Sequence, residues 1–144
     1  MRICSRTPCD VQSSMTILDT APDALHSLRS AWRDGQLVVV TLCAAWCHTC
    51  DEFRVALQRI AQSRPDAAFL WLDIEDDAAI CGDVDVENFP TLAVFRGDAL
   101  LHFGVSLPHE GIVARLIDEL ARRTDGVSDA HEEVLAMRAL LRGD

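Results

Sequence analysis

The sequence predicts an α/β fold, a central mixed β-sheet flanked by helices, with an additional C-terminal helix. Three observations carry that expectation: a strand, helix, strand run over residues 37–74, a glycine-centred hairpin over 91–105, and amphipathic helical patterns before and after them.

Residues 1–15 are polar, contain Pro8 and follow neither the helical nor the strand period, so they read as a flexible leader, with Met15 an alternative start. From Ala21 to Arg33, Leu25, Leu28 and Trp32 recur at helical spacing and Gly35 supplies a stop. Leu37 to Leu42, with three valines, suits a strand buried on both faces. Phe53, Leu57, Ile60 and Ala61 then mark a helix that opens at Cys47 to Cys50. Ala67 to Ile74 is a second apolar strand, and Glu75 to Asp77 start a short helix reaching about Val84. A strand, helix, strand unit is the crossover a parallel pair requires.

After Asn88-Phe89-Pro90, strands Thr91 to Phe95 and Ala99 to Val105 flank Arg96-Gly97-Asp98, an antiparallel hairpin. Ser106 as N-cap and Pro108 in the first turn precede Ile112, Val113, Leu116, Ile117 and Leu120, a helix expected to cover the sheet. A final helix is signalled by Ser128, by Glu132 and Glu133 early and by Arg138 and Arg142 late, an order that matches the helix dipole. Its stripe of Val134, Met137 and Leu141 is expected to pack on the same chain. The organisation so read is a leader at 1–15, one domain at 16–124 and a helical extension at 125–144.

Composition narrows the function. The 144 residues carry 23 acidic against 13 basic side chains, a formal charge of −10, which repels phosphate backbones and argues against nucleic acid as a partner. The longest apolar run, Leu37 to Ala45, is too short for a membrane-spanning helix, and no apolar segment follows Arg2 and Arg6 to make a signal peptide. The expectation is a cytoplasmic monomer that does not enter a membrane. All basic residues are arginine, and lysine and tyrosine are absent, as the codons of a GC-rich genome would produce, which points to a bacterial source. A core of this size needs no disulfide staples, so most of the six cysteines are expected to rest as thiols.

Cys47 and Cys50 stand apart. A Cys-x-x-Cys pair opening a helix after a buried strand puts the first sulfur among unpaired backbone N–H groups and the positive end of the helix dipole, which favour its thiolate. Cys47 is then the attacking sulfur and Cys50, within the same turn, the one that resolves the mixed disulfide. The chain has no glycine-rich nucleotide loop, so no cofactor is expected and electrons must come from a separate reductase or a thiol reductant.

Trp46-Cys47-His48-Thr49-Cys50 resembles the active-site signature of the thioredoxin family. Pro90 lies 43 residues after Cys47, near the separation at which that family places a cis-proline opposite its active-site helix, and Gly104 resembles the family's late glycine. The resemblance covers about residues 20–122 and implies a thioredoxin fold and thiol–disulfide exchange with disulfide-containing protein substrates. It makes Cys47 and Cys50 catalytic, with Trp46, His48, Thr49, Phe89, Pro90 and Thr91 lining the site and the Phe89 backbone pairing with an extended substrate segment. Several positions depart from the family pattern, among them His48-Thr49 in place of the common Gly-Pro between the cysteines. Thr41 replaces the buried aspartate beneath the second cysteine, Trp71 replaces its lysine companion, and Val55 stands where the helix-kinking proline is usual. His48 is expected either to stabilise the Cys47 thiolate when protonated or to be a solvated first-turn residue.

Two other readings compete. Cys43, Cys47, His48 and Cys50, with Cys81, could be metal ligands, but a second Cys-x-x-Cys or Cys/His pair at ligand spacing is missing, so no metal is expected; Cys43 and Cys81 read instead as small buried hydrophobes. The altered base and the extra helix raise the alternative of a binding or assembly module with little redox turnover. His26, His102, His109 and His131 are expected to be solvated or capping, and Asp73, Glu75, Asp76 and Asp77 to mark a strand exit and helix start.

Overall fold

A computed structural model of the chain describes residues 17–82, 84, 86, 88–106, 109–123 and 132–143. The expected leader, with Cys4 and Cys9, lies outside these residues, as do Pro108, Ser128 and His131.

Every residue of β1 (Leu37–Cys43) is buried, as its apolar side chains on both faces require. On one side β1 pairs in parallel with β2 (Ala67–Asp73), from Leu37 opposite Ala67 to Cys43 opposite Asp73. On the other it pairs antiparallel with β3 (Thr91–Arg96), which continues antiparallel into β4 (Ala99–Val105). The sheet order is β2-β1-β3-β4, a mixed sheet as expected. Leu18 adds a single parallel bridge to Leu70 at the β2 edge.

Strand alternation divides the core into two layers. Leu37, Val39, Leu92, Val94 and Leu101 face Phe53, Leu57 and Ile60 of α2 (His48–Ser63) together with Val113, Ile117 and Leu120 of α4 (Glu110–Ala121). Val38, Val40, Leu42, Leu70, Leu72 and Phe95 face Leu28 and Trp32 of α1 (Pro22–Arg33), Cys81 of α3 (Ala78–Cys81), and Val134, Met137 and Leu141 of α5 (Glu132–Arg142). The C-terminal stripe therefore packs on its own chain, as its pattern predicts.

Local chemistry sets the boundaries. Proline opens α1, where its missing N–H breaks no helical bond, and the chain leaves through Gly35 at φ +81°. The carboxylates after β2 are turn formers: Asp73 accepts from the backbone N–H groups of Glu75 and Asp76, and Asp77 accepts from the Asp73 N–H and the Thr20 hydroxyl. Gly82 at φ +57° ends α3 directly after Cys81, short of the expected Val84.

A second correction concerns α4. It starts at Glu110 behind His109, not behind Ser106. The Ser106 N–H donates to the Pro90 carbonyl at 2.9 Å, which extends the β3–β4 pairing past Val105 and keeps Ser106 with the hairpin.

Candidate active site

Four segments meet where β1 ends. The Cys43 carbonyl accepts from the Ile74 N–H at 2.9 Å, which joins the exits of β1 and β2. The chain then turns, the Cys47 N–H donating to the Ala44 carbonyl at 3.0 Å, and Cys47 takes the extended N-cap position of α2 with φ −92° and ψ 112°. Among the described residues no side chain caps this helix end, so the first N–H groups of α2 are open toward the Cys47 side.

The sequence-predicted lining residues gather here unevenly. Trp46 is 64% exposed and meets the Phe89 ring edge-on, with centroids 5.4 Å apart. The Phe89–Pro90 peptide bond is cis, and Pro90 is buried with its carbonyl held by Ser106. Thr91 is buried, its hydroxyl donating to the Asn88 carbonyl at 2.8 Å, and it pairs with Leu42 across β1 and β3. His48 points to solvent, while Thr49 and Cys47 are half-buried.

The sulfur pairing differs from the sequence-based expectation. Cys50 is bonded to Cys43, with their Cα atoms 6.1 Å apart, and Cys47 is a free thiol. Cys43 is 1% exposed, as a buried small residue should be, but it is a disulfide partner and not an inert hydrophobe. The signal that reveals it is strand alternation: Cys43 shares the face of Leu37 and Val39, the face α2 covers. Cys50 lies on the inner side of the first turn of α2 and is also 1% exposed. The Cα separation falls within the range disulfides need.

Beneath the cysteines, Thr41 and Trp71 lie opposite each other across β1 and β2. Thr41 is fully buried and its hydroxyl finds no hydrogen-bond partner among the described residues. Trp71 stacks near Phe53 and carries the Arg54 guanidinium 4.9 Å over its ring. No carboxylate occupies the Thr41 position, and α2 runs through Val55 as one helix.

Cys81 is buried on the other layer, where burial first and then the charges of Asp77 and Asp73 push its pKa up to about 11. His102 departs from the solvated role expected of it: its Nε2 is buried without a partner among the described residues, and burial, then Arg123, lowers its pKa. Among the described residues no three His, Cys, Asp or Glu side chains gather as a metal site, and no helix is long and apolar enough to cross a membrane.

Comparison with known proteins agrees with the fold. Residues 25–117 match the family model for thioredoxin. A thioredoxin H-type of Brassica campestris is 26% identical over 98 residues, covering 68% of this chain and 80% of that protein. A poplar wild-type thioredoxin h superposes with a TM-score of 0.64 at 17% identity, covering 76% of this chain and 99% of that one. A chain from a ferredoxin:thioredoxin reductase and thioredoxin f2 complex gives 0.60 at 14% identity, covering 73% and 94%. These two structures share the fold, and with the family match over most of the chain they lead to one conclusion: the chain belongs to the thioredoxin family.

Proposed function

We propose that this chain is a thiol–disulfide oxidoreductase that reduces protein disulfides through Cys47 and Cys50. The observation that supports it is the placement of Cys47: a free, half-buried thiol at the uncapped start of α2, beside the Trp46 and Phe89 rings. Starting from the reduced protein, the Cys47 thiolate attacks a substrate disulfide, and one substrate sulfur leaves as a thiolate. The Cys50 thiolate then attacks the Cys47 sulfur, closing a Cys47–Cys50 bond and releasing the second substrate thiolate. Trp46, His48 and Thr49 frame the approach, Thr91 lies buried behind it with its hydroxyl on the Asn88 carbonyl, and the Phe89-Pro90 turn offers backbone to an extended substrate segment.

Two electrons must then return from outside. A separate reductase or a small thiol supplies them, and the reductase complex of a protein with the same fold supports the first. With Thr41 in place of a buried carboxylate, Cys50 has no side-chain base beneath it on β1, so its deprotonation falls to water and turnover is slow. A monomer in the cytoplasm fits this role.

Reduction of insulin disulfides with a thiol as electron donor tests the proposal. The wild-type chain is expected to accelerate the reaction and Cys47→Ser to abolish the acceleration. A wild-type chain without activity toward any reductant would favour the binding-module reading.

A further inference from the structure

We propose that Cys43 is a third redox-active cysteine, which takes Cys50 from Cys47 by internal exchange, so that the oxidised protein keeps Cys47 as a free thiol. The inference rests on the exchange chemistry proposed above and extends it to a residue that chemistry does not use.

Cys50 has a cysteine on each side. Cys47 lies at the helix mouth three residues before it, and Cys43 lies beneath it on β1, bonded to it in the structure. The two sides differ in access. Cys43 and Cys50 are each 1% exposed, whereas Cys47 is half-buried and sits beside exposed Trp46 and His48.

The exchange step balances without an external oxidant. After a substrate has been reduced, the Cys43 thiolate attacks the Cys50 sulfur of the Cys47–Cys50 disulfide. The Cys43–Cys50 bond forms, the Cys47–Cys50 bond breaks, and Cys47 leaves with the electron pair as a thiolate; solvent takes the Cys43 proton beforehand and returns one to Cys47. The protein stays two electrons oxidised throughout. Charge moves from a buried position to the helix mouth, where open N–H groups and water receive it.

Burial gives the state its consequence. An external thiol cannot reach a disulfide whose sulfurs belong to residues this enclosed, so the Cys43–Cys50 bond reopens only through Cys47, whose thiolate attacks Cys50 and expels Cys43. The oxidised protein is thereby shielded from nonspecific reduction while its nucleophile remains available.

Disulfide mapping after a single turnover tests this. The fully reduced chain is mixed with insulin, quenched in acid at increasing times, alkylated under denaturing conditions and cleaved after aromatic residues. Cleavage after Trp46 separates Cys43 from Cys47 and Cys50. The expected course is an early Cys47–Cys50 loop that gives way to Cys43 linked to Cys50, with Cys47 alkylated in the final oxidised species. A Cys47–Cys50 loop that persists with Cys43 alkylated would overturn the inference. In Cys43→Ser the loop should remain; the wild-type time course stands alone if that variant does not fold. Oxidation of the reduced chain by diamide separates the two proposals. If insulin is not reduced but diamide still links Cys43 to Cys50 with Cys47 free, substrate reduction fails and the pairing stands; if insulin is reduced and diamide leaves only the Cys47–Cys50 loop, the exchange fails alone.

Discussion

Cys81 lies 4% exposed at the end of α3, and its thiol pKa rises from 9.0 to about 11 through burial and the nearby Asp77 and Asp73. In the unfolded chain the thiol ionises near the lower value, so from about pH 9 to about pH 11 the unfolded state loses a proton that the folded state keeps. This contribution to stability is complete below about pH 9 and is lost as pH rises toward 11, by about 2–3 kcal/mol in all. Urea denaturation of the reduced protein at about pH 8 and about pH 10.5 should show most of that loss, and Cys81→Ala should narrow the difference between the two conditions by about 2 kcal/mol. At pH 7 the same burial keeps Cys81 out of the exchange chemistry. The contrast with Cys43 explains what single residues disclose in a sequence. Both are small, apolar in context and enclosed, and sequence alone reads them alike. Their roles diverge because Cys43 faces α2 and a second sulfur, while Cys81 faces the opposite layer and two carboxylates. Thr41 shows the converse: its position could be read from the Cys-x-x-Cys register, and the structure adds that its hydroxyl is buried without a partner among the described residues.

The elements themselves were largely legible, because hydrophobic period and turn residues act locally. β1, β2 and the hairpin follow from apolar runs bounded by glycine, proline and acidic turns, and α1, α2 and α5 from apolar stripes at helical spacing, reinforced in α5 by matching end charges. What failed was the start of α4, since the hydrogen bond from Ser106 to Pro90 joins residues that only the folded sheet brings together. The extra residue on β4, where pairing slips from Val94–His102 to Phe95–Leu100, likewise has no local signal. The hairpin turn provides a test at this scale. Gly97 has φ +58°, and an added Cβ would meet nothing within 4 Å, so replacement costs backbone strain without a clash. Its carbonyl also accepts the Trp32 indole N–H at 2.9 Å, tying the turn to α1. Gly97→Ala is expected to destabilise by about 1–2 kcal/mol, read as a lower midpoint in denaturant with an unchanged slope.

At the scale of the molecule, one sheet separates two tasks. Cys43, Cys47 and Cys50 belong to β1 and the start of α2, and the helices α1, α3 and α5 of the other layer contribute none of the residues placed at the site. The C-terminal helix is integral to the second layer. Val134, Met137 and Leu141 are buried against Leu28 and Trp32, Arg29 donates to the Leu141 carbonyl at 2.9 Å, and Arg142 pairs with Asp98, whose carboxyl it holds below its ordinary pKa. Truncating Met137 to alanine removes buried methylene groups and leaves a cavity, an expected cost of about 2–5 kcal/mol. Because β1 is buried on both faces, it could in principle transmit that loss to the cysteines, yet its backbone is held on both sides by β2 and β3. A tightly paired central strand resists displacement when one face is underpacked. The stability loss should therefore stay separate from the chemistry: Met137→Ala is expected to unfold at lower denaturant, while its rate of insulin reduction, measured where the variant is still folded, equals that of the wild type. A rate that falls in proportion to stability under folded conditions would mean that the helical layer shapes the cysteine site, and the division of labour across the sheet would be wrong.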